Sequence, residues 1–303
     1  MSEKWLIIGA FGAIYIIWGS TYLANAVAVS EIPPFLMAGT RFLVAGGLLY
    51  GLMLLQGKAH PTLRHWRNGT IIGVLFLSLG NGALVMALKY IDSGLTSLIV
   101  AFDPLLLIFL MWILVDIRPG GRNLFGILLG VLGMAVLIGQ PTFIRDDQSK
   151  TGLWLISISM VSWALGSIYV SRVELPRTKG MSTAVQMIAG GIILLIYSFV
   201  TLEYREFSVE RLTLKGILAW NYLVFFGSII AFSSFNYLLH KVTPDKVSTS
   251  TLINPVVALF LGWMFNNEQI TMQSMIAAVL LLSGVFFINT HKSSLTPKVG
   301  ISE

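Results

Sequence analysis

The stretch Trp5–Val29, WLIIGAFGAIYIIWGSTYLANAVAV, decides the fold: it carries no charged side chain over a length that matches the roughly 17 to 25 residues of a bilayer-spanning helix. The apolar region of a secretory leader is shorter, about 7 to 15 residues, so the stretch reads as a retained first span. Runs of the same kind recur almost without pause to Asn289. Hydrophobic residues make up 55% and charged residues 11% of the 303 positions, against about 25% charged in soluble domains; mean hydropathy is +0.80. A chain of this composition has too little polar surface to face water on all sides, so its solvent is the lipid bilayer.

Breaks at charge, Pro, Asn or Gly divide the chain into expected spans at 5–29, 34–55, 68–89, 93–115, 121–139, 152–172, 181–200, 214–239, 244–266 and 270–290. The connections are mostly short, which makes neighbouring helices antiparallel and leaves no room for a soluble domain. Lys and Arg collect on one side of this topology: Lys4, Lys58, Arg64, Arg67, Arg118, Arg122, Arg172, Arg177, Lys179, Lys241, Lys246, Lys292 and Lys298, against Lys89, Arg145, Lys150, Arg205, Arg211 and Lys215 on the other. The richer side is cytoplasmic by the positive-inside rule, which places both termini in the cytoplasm. The net charge of +6 comes from these scattered loop residues. They form no basic stripe, and a nucleic-acid partner is not expected.

The sequence also folds onto itself at a spacing of about 145 to 151 residues. Trp18, Gly19 and Ser20 answer Trp163, Ala164 and, slightly displaced, Gly166 and Ser167. Ala45-Gly46-Gly47 recurs as Ala189-Gly190-Gly191, and Asp103-Pro104 as Asn254-Pro255. The expected architecture is therefore all-α and integral to the membrane: ten helices in two five-helix repeats, 1–143 and 144–303, around a central cavity. An odd number of spans per repeat forces the second to enter the bilayer in the opposite sense. Inverted repeats are a hallmark of transporters, with substrate held near midplane between the halves.

The runs Ile14–Tyr22, Pro33–Phe42, Trp163–Tyr169, Phe226–Ala231 and Asn254–Ala258 resemble the EamA branch of the drug/metabolite transporter superfamily, and within it the bacterial inner-membrane exporters. The likeness runs from Tyr15 to about Glu268. It implies two EamA repeats, cytoplasmic termini and a small-molecule cargo such as amino acids, other metabolites or amphipathic drugs, with export the usual direction. One position departs from the pattern: the seventh span of such relatives opens with an acidic residue, whereas this chain has neutral Gln186. A homodimer stays open.

Two ionisable residues fall inside spans, each at a cost of roughly 2.5 to 3.5 kcal/mol on insertion scales, so each should face protein or water. Arg41 lies ~10 Å past Pro34 and Asp103 ~15 Å into the fourth span, at 1.5 Å per residue. Arg41 reads either as an anchor for a substrate carboxylate or as a clamp on Asp103 or on helix carbonyls. Asp103 reads as a site for a substrate amine or a coupling proton, as the other end of that clamp, or as a brace for a bend at Pro104. Trp18, Tyr22, Trp163 and Tyr169 sit mid-span rather than in the interfacial belts where Trp and Tyr gather, and either line a cavity or pack. Asn81, Gln186, Asn236 and Asn254 add neutral polar groups that contact substrate or bond across helices. Pro104 and Pro255 are candidate gating bends. Gly47 with Gly51 and Gly126 with Gly130 read as packing seams.

An enzyme is not expected. Asp103 is the one acid deep in a span, and His60, His65, His240 and His291 fall in loops or at span ends. No glycine loop with a lysine offers a phosphate cradle, and no cysteine is present; neither cofactor nor metal is called for. The rival readings are a passive channel and a membrane sensor.

Overall fold

The computed structural model describes residues 3–116, 118–139, 147–238, 241, 242, 247 and 250–289. Arg145, Lys246, Lys292, Lys298, His240, His291 and the expected start of the ninth span lie outside the described residues. Eight segments are long and apolar enough to cross a membrane: α1 Glu3–Val29, α2 Pro34–Leu55, α3 Leu63–Ala87, α4 Ser93–Val115, α5 Gly121–Ile138, α6 Asp147–Val170, α7 Lys179–Val200 and α8 Leu214–Leu238. Two shorter apolar helices follow, α9 Ser250–Asn266 and α10 Met272–Asn289. No strand occurs among the described residues. Helix α3 begins before the expected 68 because Thr62 caps it: its hydroxyl accepts from His65 N, and Thr62 N donates to His65 Nδ1, both at 3.3 Å.

The two halves answer each other in shape. Widened π-helical turns interrupt α3 at Val74–Asn81 and α8 at Leu223–Phe232, with a further one in α1 at Ala13–Ile17. The residues just after α4 and α9, Asp116 and Asn267, both take left-handed backbone, at φ 54° and 53°. The most extensive helix contacts join the repeat-related pairs α2 with α7 and α5 with α10. Small residues let these backbones approach, as is usual where lipid supplies no hydrophobic drive between helices. A Cβ on Gly191 would lie 2.8 Å from Leu43 N, and one on Gly284 would lie 2.6 Å from the Gly126 carbonyl. The Gly126–Gly130 seam is thus present. The Gly47–Gly51 seam is not: nothing lies within 4 Å of a Cβ at either position. Their neighbour Gly46, against Met187 and Ile188, makes the contact instead. Spacing alone could not say which of two adjacent glycines faces the partner helix.

Candidate substrate cavity between the halves

Helix α4 is two helices end to end, Ser93–Val100 and Asp103–Val115, and Pro104 occupies the first turn of the second. A proline costs little there because its missing N–H would have had no helical partner. The expected bend is therefore a break, and it delivers Asp103 to the wall of a cavity of about 150 Å³. Both halves build that wall: α1, α2, α3 and α4 supply Trp18, Tyr22, Asn25, Arg41, Asn81 and Asp103, while α6, α8 and α9 supply Trp163, Ser228, Phe232 and Asn254. Discontinuous helices with polar groups at the break are how transporter folds expose backbone and charge at membrane depth.

Arg41 is 4% exposed. Its Nη1 donates to Asn25 Oδ1 at 2.9 Å and its Nη2 to Asn81 Oδ1 at 3.4 Å. Asn25 is itself oriented, because its Nδ2 donates to the Thr21 carbonyl at 2.7 Å. The guanidinium carbon also lies 4.2 Å from the centre of the Phe42 ring, a cation–π contact. Among the described residues Arg41 and Asp103 form no ion pair with each other. Arg41 Nε and Asp103 Oδ1 are both buried without a protein hydrogen-bond partner. The cavity thus holds a cation tethered by neutral amides and, on another part of its wall, a carboxyl oxygen with bonding capacity to spare.

Aromatic rings crowd the wall on the α6 and α8 side. Trp18 meets Trp163 edge-on, with centroids 6.2 Å apart and planes at 82°, and lies 4.9 Å from Phe235. Phe76 backs Trp163 at 4.7 Å. Asn254, with its amide turned to satisfy both ends, donates to the carbonyls of Ile14, Tyr15 and Ser250 at 3.0, 3.1 and 3.2 Å. Its partners on α1 lie in the widened turn, where one backbone carbonyl per turn loses its regular helical partner. Ser162 does the same for the α3 turn, donating to the Leu75 carbonyl at 2.8 Å.

The remaining candidates lie away from the cavity lining. Tyr169 packs against the core that includes Phe42, Phe76 and Val224. Gln186, 1% exposed, donates to Ser182 Oγ at 3.1 Å, and Asn236 donates to Thr183 Oγ1 at 2.9 Å. Sequence reasoning missed Asn25 and Ser228. Asn25 had a signal, since Trp18, Tyr22 and Asn25 stand at i, i+4 and i+7 and so share one helix face.

Eight membrane-length helices and two shorter apolar ones among the described residues, repeat-related packing and a cavity walled by both halves define a polytopic membrane protein of the two-repeat transporter class. The EamA-like transporter family matches residues 4–139 and 150–290, and the chain belongs to that family. It is 36% identical to YedA of Escherichia coli (strain K12), an uncharacterized inner membrane transporter, over 94% of this chain and 91% of that protein. It is 25% identical to YoaV of Bacillus subtilis (strain 168), an uncharacterized transporter, over 93% and 96%. A WAT1-related chloroplast protein of Arabidopsis thaliana is 25% identical over 91% of this chain and 67% of its own length. One crystal structure matches 95% of this chain and 97% of its own with a TM-score of 0.66 at 21% identity, a likeness of fold alone. The protein is a transporter of the inner membrane.

Proposed function

We propose that the chain is a secondary or facilitative carrier that exports small metabolites, amino acids foremost, across the bacterial inner membrane by alternating access. The supporting observation is the cavity between the halves, whose lining includes both Arg41 and Asp103 without an ion pair between them. A small zwitterion answers both groups: its carboxylate takes the Arg41 guanidinium and its ammonium takes Asp103, while Trp18, Trp163 and Phe232 cover its apolar part. Size favours metabolites over drugs in this state. The cavity is about 150 Å³, whereas pockets for drug-sized ligands are ~300 to 1,000 Å³.

Under this reading Asn25 and Asn81 position Arg41, and Asn254 secures α9 to α1 beside the site. The break at Pro104 and the helix-internal Pro255 are the hinges about which the wall moves. Tyr169, Gln186 and Asn236 support it from behind.

Counterflow in proteoliposomes separates carrier from channel. Saturable uptake of a labelled amino acid, accelerated by the same solute preloaded inside, is the expected result. Flux that neither saturates nor shows trans-stimulation would establish the channel reading instead. Arg41→Ala and Arg41→Lys should each reduce counterflow at least about tenfold at equal expression, since a charge-assisted hydrogen bond contributes ~1.5 to 3 kcal/mol. Parental transport by both variants would remove Arg41 from the site.

A further inference from the structure

The first turn of any helix leaves backbone N–H groups without intrahelical partners, and a carboxylate is favoured there by the helix dipole. On one face of the molecule, carboxylates from one half fill that role for helices of the other. Glu31, just after α1, accepts from Thr213 N at 2.7 Å and from Thr213 Oγ1 at 2.6 Å, Thr213 being the residue that caps α8. The Glu31 carboxylate lies in the space a side chain at Gly216 would need. On the same face Glu203 accepts from the N–H groups of Phe35 and Leu36 at 2.9 and 3.1 Å, at the start of α2. Glu268 accepts from Ser93 N, Ser93 Oγ and Gly94 N at 3.0, 2.6 and 2.8 Å, at the start of α4.

The opposite face carries the repeat-related counterpart of the first of these contacts, in a different condition. Glu174 follows α6 as Glu31 follows α1, and it faces the start of α3, capped by Thr62 as α8 is capped by Thr213. Both the carboxylate and its target therefore recur in the second half. Yet Glu174 touches only side chains there: Arg64 Nη1 at 3.3 Å and His65 Nε2 at 3.5 Å. Its backbone carbonyl accepts from Asn68 Nδ2 at 2.9 Å. The hydrogen bond from Arg64, then that from His65, holds the Glu174 carboxyl below the usual carboxylate range. The Thr62 N–H is taken by His65 Nδ1 of its own helix at 3.3 Å. The His65 ring occupies the place that a carboxylate occupies at Thr213.

We propose that Glu31 and Glu174 are paired inter-repeat clasps that engage alternately: Glu31 on Thr213 when its face is shut, Glu174 on Thr62 when the opposite face is shut. The proposal rests on the alternating-access reading above and deepens it. The conformation described has the Glu31 carboxylate on the backbone and hydroxyl of Thr213, whereas the Glu174 carboxylate meets only the side chains of Arg64 and His65. In the exchange, Glu174 displaces His65 from the Thr62 N–H and takes the Thr62 hydroxyl as well, while Glu31 releases Thr213. Glu203 and Glu268 leave α2 and α4 in the same movement.

The absence of cysteine from the sequence makes the test direct. Ser228 lines the cavity, is 1% exposed, and its hydroxyl has no partner, so Ser228→Cys is a single reporter. A membrane-impermeant thiol reagent is applied to vesicles of each orientation, without substrate. Glu31→Gln should raise the labelling rate from the Glu31 face about tenfold, a change expected when one charge-assisted contact is lost, and lower it from the other. Glu174→Gln should do the reverse. If Glu31→Gln does not accumulate, Thr213→Val removes the hydroxyl half of the same clasp and carries the same expectation. Shifts in the same direction for both glutamates, or no shift for either, overturn the proposal, because a plain structural brace has no reason to act with opposite signs on the two faces. Opposite shifts in a protein that shows no counterflow of any solute would keep the clasps and remove the carrier reading; counterflow without opposite shifts would do the converse.

Discussion

Arg41 is held at membrane depth by groups that satisfy its hydrogens without cancelling its charge, and this arrangement has a measurable signature. A buried charge tethered only by neutral amides remains free to attract an anion, whereas one given an internal carboxylate does not. Asn25→Asp supplies that carboxylate 2.9 Å from the Nη1 position with almost no change in shape. The expected outcome is a substrate-free protein that melts at least as high as the parent, together with loss of the substrate-induced rise in melting temperature that ligand binding to the folded state produces. Asn25→Ala should instead lower the melt and weaken transport only in part, because Asn81 still holds the other nitrogen at 3.4 Å. A variant Asn25→Asp that binds substrate as the parent does would show that Arg41 serves packing alone. At this scale the sequence was most legible where chemistry conflicts with lipid: Arg41 and Asp103 stand out because an ionisable group in an apolar run is costly. Neutral groups gave no such contrast. Gln186 and Asn236 have the same chemistry as Asn81, yet Gln186 donates to Ser182 within α7 and Asn236 donates across to Thr183 of α7, while Asn81 reaches the cavity. Ser228 is indistinguishable by type from Ser162, which only braces a backbone carbonyl.

Element boundaries in this fold follow from local capping, and element contacts follow from glycine. The five-residue extension of α3 beyond its expected start comes from Thr62 and His65, a reciprocal cap whose histidine a capping-box search for Glu or Gln would pass over. The seam glycines make a sharper test. Gly284→Val places atoms where the Gly126 carbonyl and Gly130 backbone already lie, and both are main chain and cannot rotate away. Overpacking of this kind costs ~1 to 3 kcal/mol, so the purified protein should unfold at distinctly lower denaturant. A Cβ at Gly47 meets nothing within 4 Å, so Gly47→Ala should leave that midpoint unchanged. Equal effects at the two positions would mean that the face of α2 bearing Gly47 is covered. Asn254→Ala tests the widened turn of α1 in the same assay. It leaves the carbonyls of Ile14 and Tyr15 without their amide donor, at a cost of ~1 to 3 kcal/mol for a buried polar group left unpaired. The recurrence of Asp103-Pro104 as Asn254-Pro255 was readable in sequence, but its two outcomes were not. One proline opens a new helix after a break and the other lies inside a continuous one, because the halves share a path and not a set of hydrogen bonds.

Across the whole molecule, inversion of one repeat against the other sets the faces against each other, and orientation in the bilayer is what the described contacts leave to charge. Ion pairs occur at both faces: Arg64 with Glu174 and Lys241 with Glu3 on the side of the termini, Lys89 with Glu206 and Lys150 with Asp147 on the other. Such exposed pairs contribute little to stability. Insertion responds to Lys and Arg near helix ends and hardly to the acids beside them, so pairing does not erase the bias. By the positive-inside rule, the cluster Arg64, Arg67, Arg172, Arg177 and Lys179 before and at the starts of α3 and α7 is expected to hold the side where α1 begins in the cytoplasm, and it has no equal at the starts of α2, α4 or α8. A reporter enzyme active only outside the cytoplasm should accordingly be silent when fused after residue 303 and active when inserted in the α7–α8 connection near Arg205. The same experiment with Arg64, Arg67, Arg172 and Arg177 all changed to Gln should produce a mixed population, since the inward bias falls while Lys89, Arg205, Arg211 and Lys215 remain. A parent chain active at both fusion sites would mean that it inserts in two orientations, and the proposed export direction would then hold only for the molecules inserted with α1 starting in the cytoplasm.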